Sequence, residues 1–262
     1  MRSAWNDLVT ALGSALAALV LVGCNSPTDA NGSGTGTTDA SATGVWSGTD
    51  SVTGLAVTAF IDSSGQAVFF RSDGVQFTGA VQVSGTTLAV TVDGYSDFPA
   101  TFSDQSTFGI GTLNGAVTTA TGITATLTFT TNGGTTLPGS WRLNFLAQSN
   151  TASSTGAVSG NYTDNATGAV TSINSAGEMT SQNPGNGCVL NGSISTNDTS
   201  HNIYQVAFSY GSCTGMYAVL NGVQFTGLAS LNTSSAPAQL GMAVTGASSA
   251  ARYAIVSTLT GG

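Results

Sequence analysis

One histidine, His201, and twelve carboxylates are all that this chain of 262 residues offers for proton-transfer chemistry. The histidine lies in Thr199-Ser200-His201-Asn202, a turn-forming stretch directly before an apolar run, and reads as an exposed turn residue. A Ser-His-Asp triad would need that same side chain buried and oriented by a neighbour. The sequence has no Gly-x-Ser-x-Gly elbow, no phosphate loop and no His-Glu-x-x-His pair. What remains is DGYSDFPATFSD, where Asp93, Asp97 and Asp104 alternate with Tyr95, Phe98 and Phe102. Paired carboxylates can cleave a glycosidic bond. The same aspartates can instead bond the backbone of their own turns while the aromatics seal the end of a barrel. A third reading is an exposed acid-aromatic loop that recognises a protein or glycan. We take the six residues as a candidate binding loop, and expect no enzyme activity and no metal.

The elements that carry this loop are strands. Ile123, Ala125, Leu127 and Phe129 alternate with Thr124, Thr126, Thr128 and Thr130, the period-two pattern of a strand with one dry face. Val75, Phe77, Val81 and Val83 alternate with Gln76, Thr78 and Gln82 in the same way, as do Tyr204, Val206, Phe208 and Tyr210 with Gln205 and Ser209. Asp73-Gly74, Asp93-Gly94, Asn114-Gly115 and Asn132-Gly133 are among the dipeptides that accept the positive φ of a tight hairpin. Cys188 and Cys213 bracket a hairpin expected over 189–195 and 203–212. Antiparallel pairing about its turn brings them opposite one another, so a disulfide is expected. Closing that loop stabilises by about 3.5 kcal/mol through lost chain entropy.

The body is duplicated. Ile61-Asp62-Ser63-Ser64-Gly65-Gln66 returns as Ile173-Asn174-Ser175-Ala176-Gly177-Glu178, and Ser47-Gly48 as Ser159-Gly160, both 112 positions on. Eight short antiparallel strands per half close naturally into a barrel, which leaves no open edge. The expected fold is all-β: two consecutive small up-and-down barrels at 44–148 and 157–262, joined by a linker at 149–156. Phe69, Phe77, Val90 and Phe129 are large enough to fill a barrel of that size. Thr, Ser and Gln are expected outside, unlike the apolar outer band of a membrane barrel.

Charged residues make up 6% of the chain, and there is no lysine. Removing Arg2 and Asp7 with the leader described next leaves three arginines against eleven acids and the same net charge of −8. Such a surface cannot neutralise a run of phosphates, which excludes nucleic acid as a partner.

Residues 8–22 are apolar, follow the cationic Arg2, and end in Leu21-Val22-Gly23-Cys24. About fifteen apolar residues fall short of the roughly 20 that span a bilayer, so the segment reads as a secretory signal. Its last four residues resemble the lipobox of bacterial lipoproteins. The resemblance implies cleavage after residue 23, a covalent lipid on Cys24 as the one attached group, and membrane anchoring through the acylated N-terminus. With Asn25 after the cysteine, it further implies an outer-membrane destination in the bacterial envelope. Residues 24–43 form a Gly/Ser/Thr tether whose typical span is about 24 Å.

Gly44-Val45-Trp46 at the start of the first strand resembles the Gly-x-Trp opening of calycin barrels, the lipocalins and avidins. There a basic residue of the last strand packs across the tryptophan. The resemblance implies barrel closure by Trp46 with Arg142, and by Tyr162 with Arg252 in the second half. The tether-and-barrel layout is also similar to surface lipoproteins of the factor-H-binding and transferrin-binding type. Three functions follow as expectations: an envelope lipoprotein binding a protein or glycan through its loops, a lipocalin-like carrier of a small apolar molecule, or a structural envelope component. A cavity above ~300 Å³ would favour the carrier.

Overall fold

A computed structural model describes residues 38–164 and 166–262; the leader, Cys24 and most of the tether fall outside the described residues. The first half comprises β1 (Gly44–Asp50), β2 (Ala56–Ile61), β3 (Gln66–Arg71), β4 (Gln76–Ala80), β5 (Gln82–Ser84), β6 (Thr87–Tyr95), β7 (Phe108–Thr118), β8 (Gly122–Thr131) and β9 (Thr136–Phe145). Each strand pairs antiparallel with its sequence neighbour except that β4 pairs with β6, and β1 with β9. That closes a ring of eight, with β5 left as a short flap on β6. The second half comprises β10 (Gly160–Asp164), β11 (Val170–Ile173), β12 (Glu178–Gln182), β13 (Val189–Ser195), β14 (Tyr204–Gly211), β15 (Gln224–Asn232), β16 (Gln239–Ala247) and β17 (Arg252–Gly261). These form a second closed antiparallel barrel, β17 returning to β10.

The expected interior is the observed one. Phe69, Phe77 and Phe129 are fully buried and Val90 nearly so, with Trp46 and Trp141 beside them in one core. Thr124, Thr126, Thr128 and Thr130 of β8 face solvent. Asp39 to Ala42, which the sequence assigned to the tether, are seated on the barrel instead. The Gly85 N–H donates to Asp39 Oδ1 at 2.7 Å, the Ala40 N–H to the Gly85 carbonyl, and the Trp46 indole to the Ala42 carbonyl at 2.8 Å.

The disulfide forms between Cys188 and Cys213. Val189 pairs with Gly211, so strict register would put residue 212 opposite Cys188. Ser212 adopts a left-handed backbone (φ 60°), a bulge that carries Cys213 across.

The duplication is visible in backbone bonding, with one correction to its alignment. Asp62 Oδ1 accepts from the N–H groups of Ser64 and Gln66, and Asn174 Oδ1 from those of Ala176 and Glu178. However, Gly44 pairs with Ile61 and Gly160 with Ile173, both glycines at positive φ (137° and 147°). The partner of Gly44-Val45-Trp46 is therefore Gly160-Asn161-Tyr162; Ser47-Gly48 and Ser159-Gly160 are not equivalent. β10 and β11 are each two residues shorter than β1 and β2, which displaced the match.

The clean inside-outside alternation fails where the barrels meet. Val45, Phe60 and Val68 point out of the first barrel and are buried against Ile203, Leu228 and Ala243, which point out of the second. Phe70, Leu146 and Val256 pack at their margin. Gln76, expected on the wet face, is fully buried without a hydrogen-bond partner for its amide. Of the linker, Ser149 is buried with the seam. Ser149 Oγ accepts from the Val45 N–H at 2.7 Å and donates to the Val45 carbonyl, and the Asn202 N–H donates to the Ser149 carbonyl. Both barrels belong to one compact unit.

Candidate functional site

The candidate binding loop is not a free loop. Tyr95 and Phe102 are buried, Phe102 lying in the first core against Phe129 at a ring separation of 5.6 Å. Asp104 accepts from the Ser106 N–H and hydroxyl and from the Thr131 hydroxyl, the turn-forming role considered above. Those hydroxyl donors hold its carboxyl well below the usual carboxylate range. Asp93 is half-exposed and pairs with Arg252 of the second barrel at 3.5 Å.

Phe98 and Asp97 do something the sequence does not suggest: they reach into the other barrel. The Phe98 N–H donates to the Ala254 carbonyl on β17, and the Val256 N–H donates to Asp97 Oδ1 at 3.1 Å. The Phe98 ring then packs edge-on against Tyr217 and Tyr253, at 5.6 and 5.7 Å, at one end of the second barrel.

Arg142 and Arg252 do not close the barrels over Trp46 and Tyr162, and the calycin expectation is corrected here. Trp141 and Leu143 point into the first barrel, so Arg142 between them must point out, and it is exposed. Arg252 points away from its own core and lies over the Phe108 ring of the first barrel, 3.8 Å from the centroid. Trp46 is covered by Phe145, edge-on at 5.0 Å. Tyr162 is buried in the second core. His201 Nδ1 donates to Asp198 Oδ2 at 2.6 Å within its own turn, and among the described residues no acid or nucleophile beyond that turn is bonded to it.

Beneath Phe98 the second barrel encloses a cavity of about 270 Å³. Leu190, Phe208, Met242, Val244 and Leu259 supply its apolar wall. Asp164, Thr171, Ser181 and Ser257 make a polar strip along one side, and Tyr210 stands near them. Burial and the Asp164 charge push the Tyr210 hydroxyl up to about 12, so it stays a hydrogen-bond donor at any ordinary pH.

The first barrel explains this space, because strand pairing aligns the two interiors residue by residue. In Asp50-Ser51-Val52-Thr53-Gly54 the Asp50 carbonyl accepts from the Gly54 N–H, and the Asp164 carbonyl accepts likewise from Gly168. Val57 pairs with Arg71 where Thr171 pairs with Ser181, and Asp50 pairs with Trp141 where Asp164 pairs with Leu259. Thus the guanidinium of Arg71 and the indole of Trp141, both buried in the first barrel, are replaced by a hydroxymethyl and an isobutyl group. Those two exchanges empty the end of the second barrel. The recurring Asp-x-x-Thr-Gly, 114 positions apart, was the sequence signal that could have located it.

Asp97 lines the same cavity, and burial raises its carboxyl to about 6. The folded protein therefore keeps a proton that the unfolded chain, near 3.8, gives up. Stability linked to this group is greatest at low pH and declines as pH rises from about 4 to about 6. Asp97→Asn, which cannot ionise, should raise the thermal midpoint at pH 7.5 by roughly 2–4 °C, the response of a domain this size to about 1 kcal/mol. It should change the midpoint little at pH 4. Thermal scans across that range would show an equal shift at every pH if the burial argument were wrong.

No group of three or more metal-ligating side chains occurs among the described residues. No protein-family model matches the chain, and no curated protein is significantly similar to it.

Proposed function

We propose that this chain is a non-enzymatic binding protein that holds a small, mostly apolar molecule in its second barrel. In this reading a lipid on Cys24 anchors it in the bacterial envelope, at the outer membrane. The observation that carries the reading is the unequal filling of two barrels with one design. The first is packed with aromatic rings, while the second keeps about 270 Å³ under a side chain borrowed from its neighbour. Protein interiors are close-packed, and voids of this size are few. The space falls slightly short of ~300 Å³, which suits a ligand smaller than most drugs. A structural component would have no use for it.

Recognition of a protein or glycan through residues 93–104 has less support, because Tyr95, Phe98 and Phe102 are committed to packing. Exposed Met216 (63%) and Val219 (52%) are the better surface for such contact. They flank Tyr217 in the 3-10 turn Gly215–Leu220, beside the cavity mouth.

The test is a titration of the purified mature protein with 1-aminoanthracene, whose emission rises in a dry site. Saturable enhancement near one equivalent, abolished by filling the space with Ser181→Phe, supports the reading. Enhancement that survives Ser181→Phe unchanged places the dye elsewhere and rejects it.

A further inference from the structure

Resting on the cavity reading above, we propose that the second barrel takes a small amphiphile with a cationic head, an amine or guanidinium on an apolar body, using Asp164 as counter-ion. The first barrel supplies the template. There Asp50 is fully buried, its Oδ1 accepts from the Val52 and Ser140 N–H groups, and its Oδ2 accepts from the Thr53 hydroxyl. Arg71 completes the arrangement, with Nη1 3.7 Å from Asp50 Oδ2 and Nη2 2.6 Å from Asp73. The cation at the barrel's end is thus a side chain of the protein itself.

In the second barrel the carboxylate is kept and the cation is not. Asp164 Oδ1 accepts from the Ala166 and Thr167 N–H groups, and Oδ2 from the Ser257 hydroxyl at 2.8 Å. Ser181 lies opposite Thr171 as Arg71 lies opposite Val57, Asn183 makes the turn bonds that the Arg71 backbone makes, and both line the cavity. Asp97 adds a second acid at the mouth, and none of the lining residues is a Lys, Arg or His. A carboxylate bordering an apolar chamber is best satisfied by an opposite charge with hydrogen-bond donors. A ligand bringing both would occupy the volume from which the guanidinium is missing and lay its apolar body against Leu190, Met242 and Leu259.

The experiment is a titration of the full mature chain, methyl-labelled at methionine, with octylamine, 1-octanol and octanoate at pH 7.5. The readout is the Met242 methyl resonance. Octylamine should saturate the shift at about tenfold lower concentration than octanol, the size of one charge-assisted contact, with octanoate weakest. Asp164→Asn should bring octylamine to the octanol value. Ser181→Arg, which rebuilds the pair of the first barrel, should abolish octylamine binding while raising the thermal midpoint. Equal saturation by octylamine and octanol overturns the charge preference and leaves the apolar cavity standing. If neither moves Met242, both this proposal and the reading beneath it fall.

Discussion

Asp50→Ala is expected to cost about 3–4 kcal/mol, read as a lower urea midpoint with an unchanged slope. Three effects combine. The Arg71 guanidinium, 7% exposed, keeps only the surface-facing Asp73 as partner. The N–H groups of Val52 and Ser140 lose their acceptor, and so does the Thr53 hydroxyl. Burial by itself pushes the Asp50 carboxyl up, but those donors and the Arg71 charge outweigh it and hold the group below its ordinary value of 3.8. Its contribution is therefore present at neutral pH and fades as pH falls through the lowered folded value, so variant and parent should converge in strong acid. Asp164→Ala removes the corresponding turn acceptor without stranding a buried cation, and should cost only about 1 kcal/mol. Similar losses at both positions would contradict the assignment of Arg71 as the difference between the barrels.

Phe129→Ala is expected to cost about 3–5 kcal/mol by the same measurement. The ring is fully buried, edge-on to Phe77 at 5.2 Å and close to Phe102. Gly94 lies directly beneath it: a Cβ there would sit 2.2 Å from the ring. The glycine has thus left its own volume to the phenylalanine, so it offers no side chain to refill the gap. A loss near 1 kcal/mol would mean that the core relaxes around the deletion, contrary to close packing.

Much of the architecture can be read from residue order. The threonine-flanked runs of β7 and β8 alternate because one side is wet, and Asp73-Gly74 and Asn132-Gly133 do sit where hairpins fold back. Asp93-Gly94 and Asn114-Gly115, expected as turns, lie instead inside β6 and β7, where the glycines make room for the Phe129 ring and the Thr124 carbonyl. Half-cystines 188 and 213 were within a residue of strict register, and the Ser212 bulge supplies the rest. Reading the parity of Trp141-Arg142-Leu143 would have turned Arg142 outward from the sequence alone. The seam between the barrels left a trace as well. Ala59-Phe60-Ile61 and Val68-Phe69-Phe70 are apolar at every position, as strands covered on both faces must be. Taken as strands with one dry face, they concealed the partner surface. Residues 96–107 could not be placed in this way, because Phe98 packs on residues more than a hundred positions later. The cavity was only partly legible. The repeated Asp-x-x-Thr-Gly marks its end of the barrel, but what Ser181 and Leu259 lack relative to Arg71 and Trp141 shows only once strand pairing has aligned the two interiors.

The position of Phe98 has a mechanical consequence. The aromatic ring over the chamber belongs to the neighbouring fold, and it is tied to β17 by the main-chain contact at Ala254. Under the proposed function, admission of a guest would require the Phe98 ring to part from Tyr217 and Tyr253, and with it a small hinging of the two halves. Whatever clasps them together would then prolong the guest's stay, and whatever prises them apart would set it free.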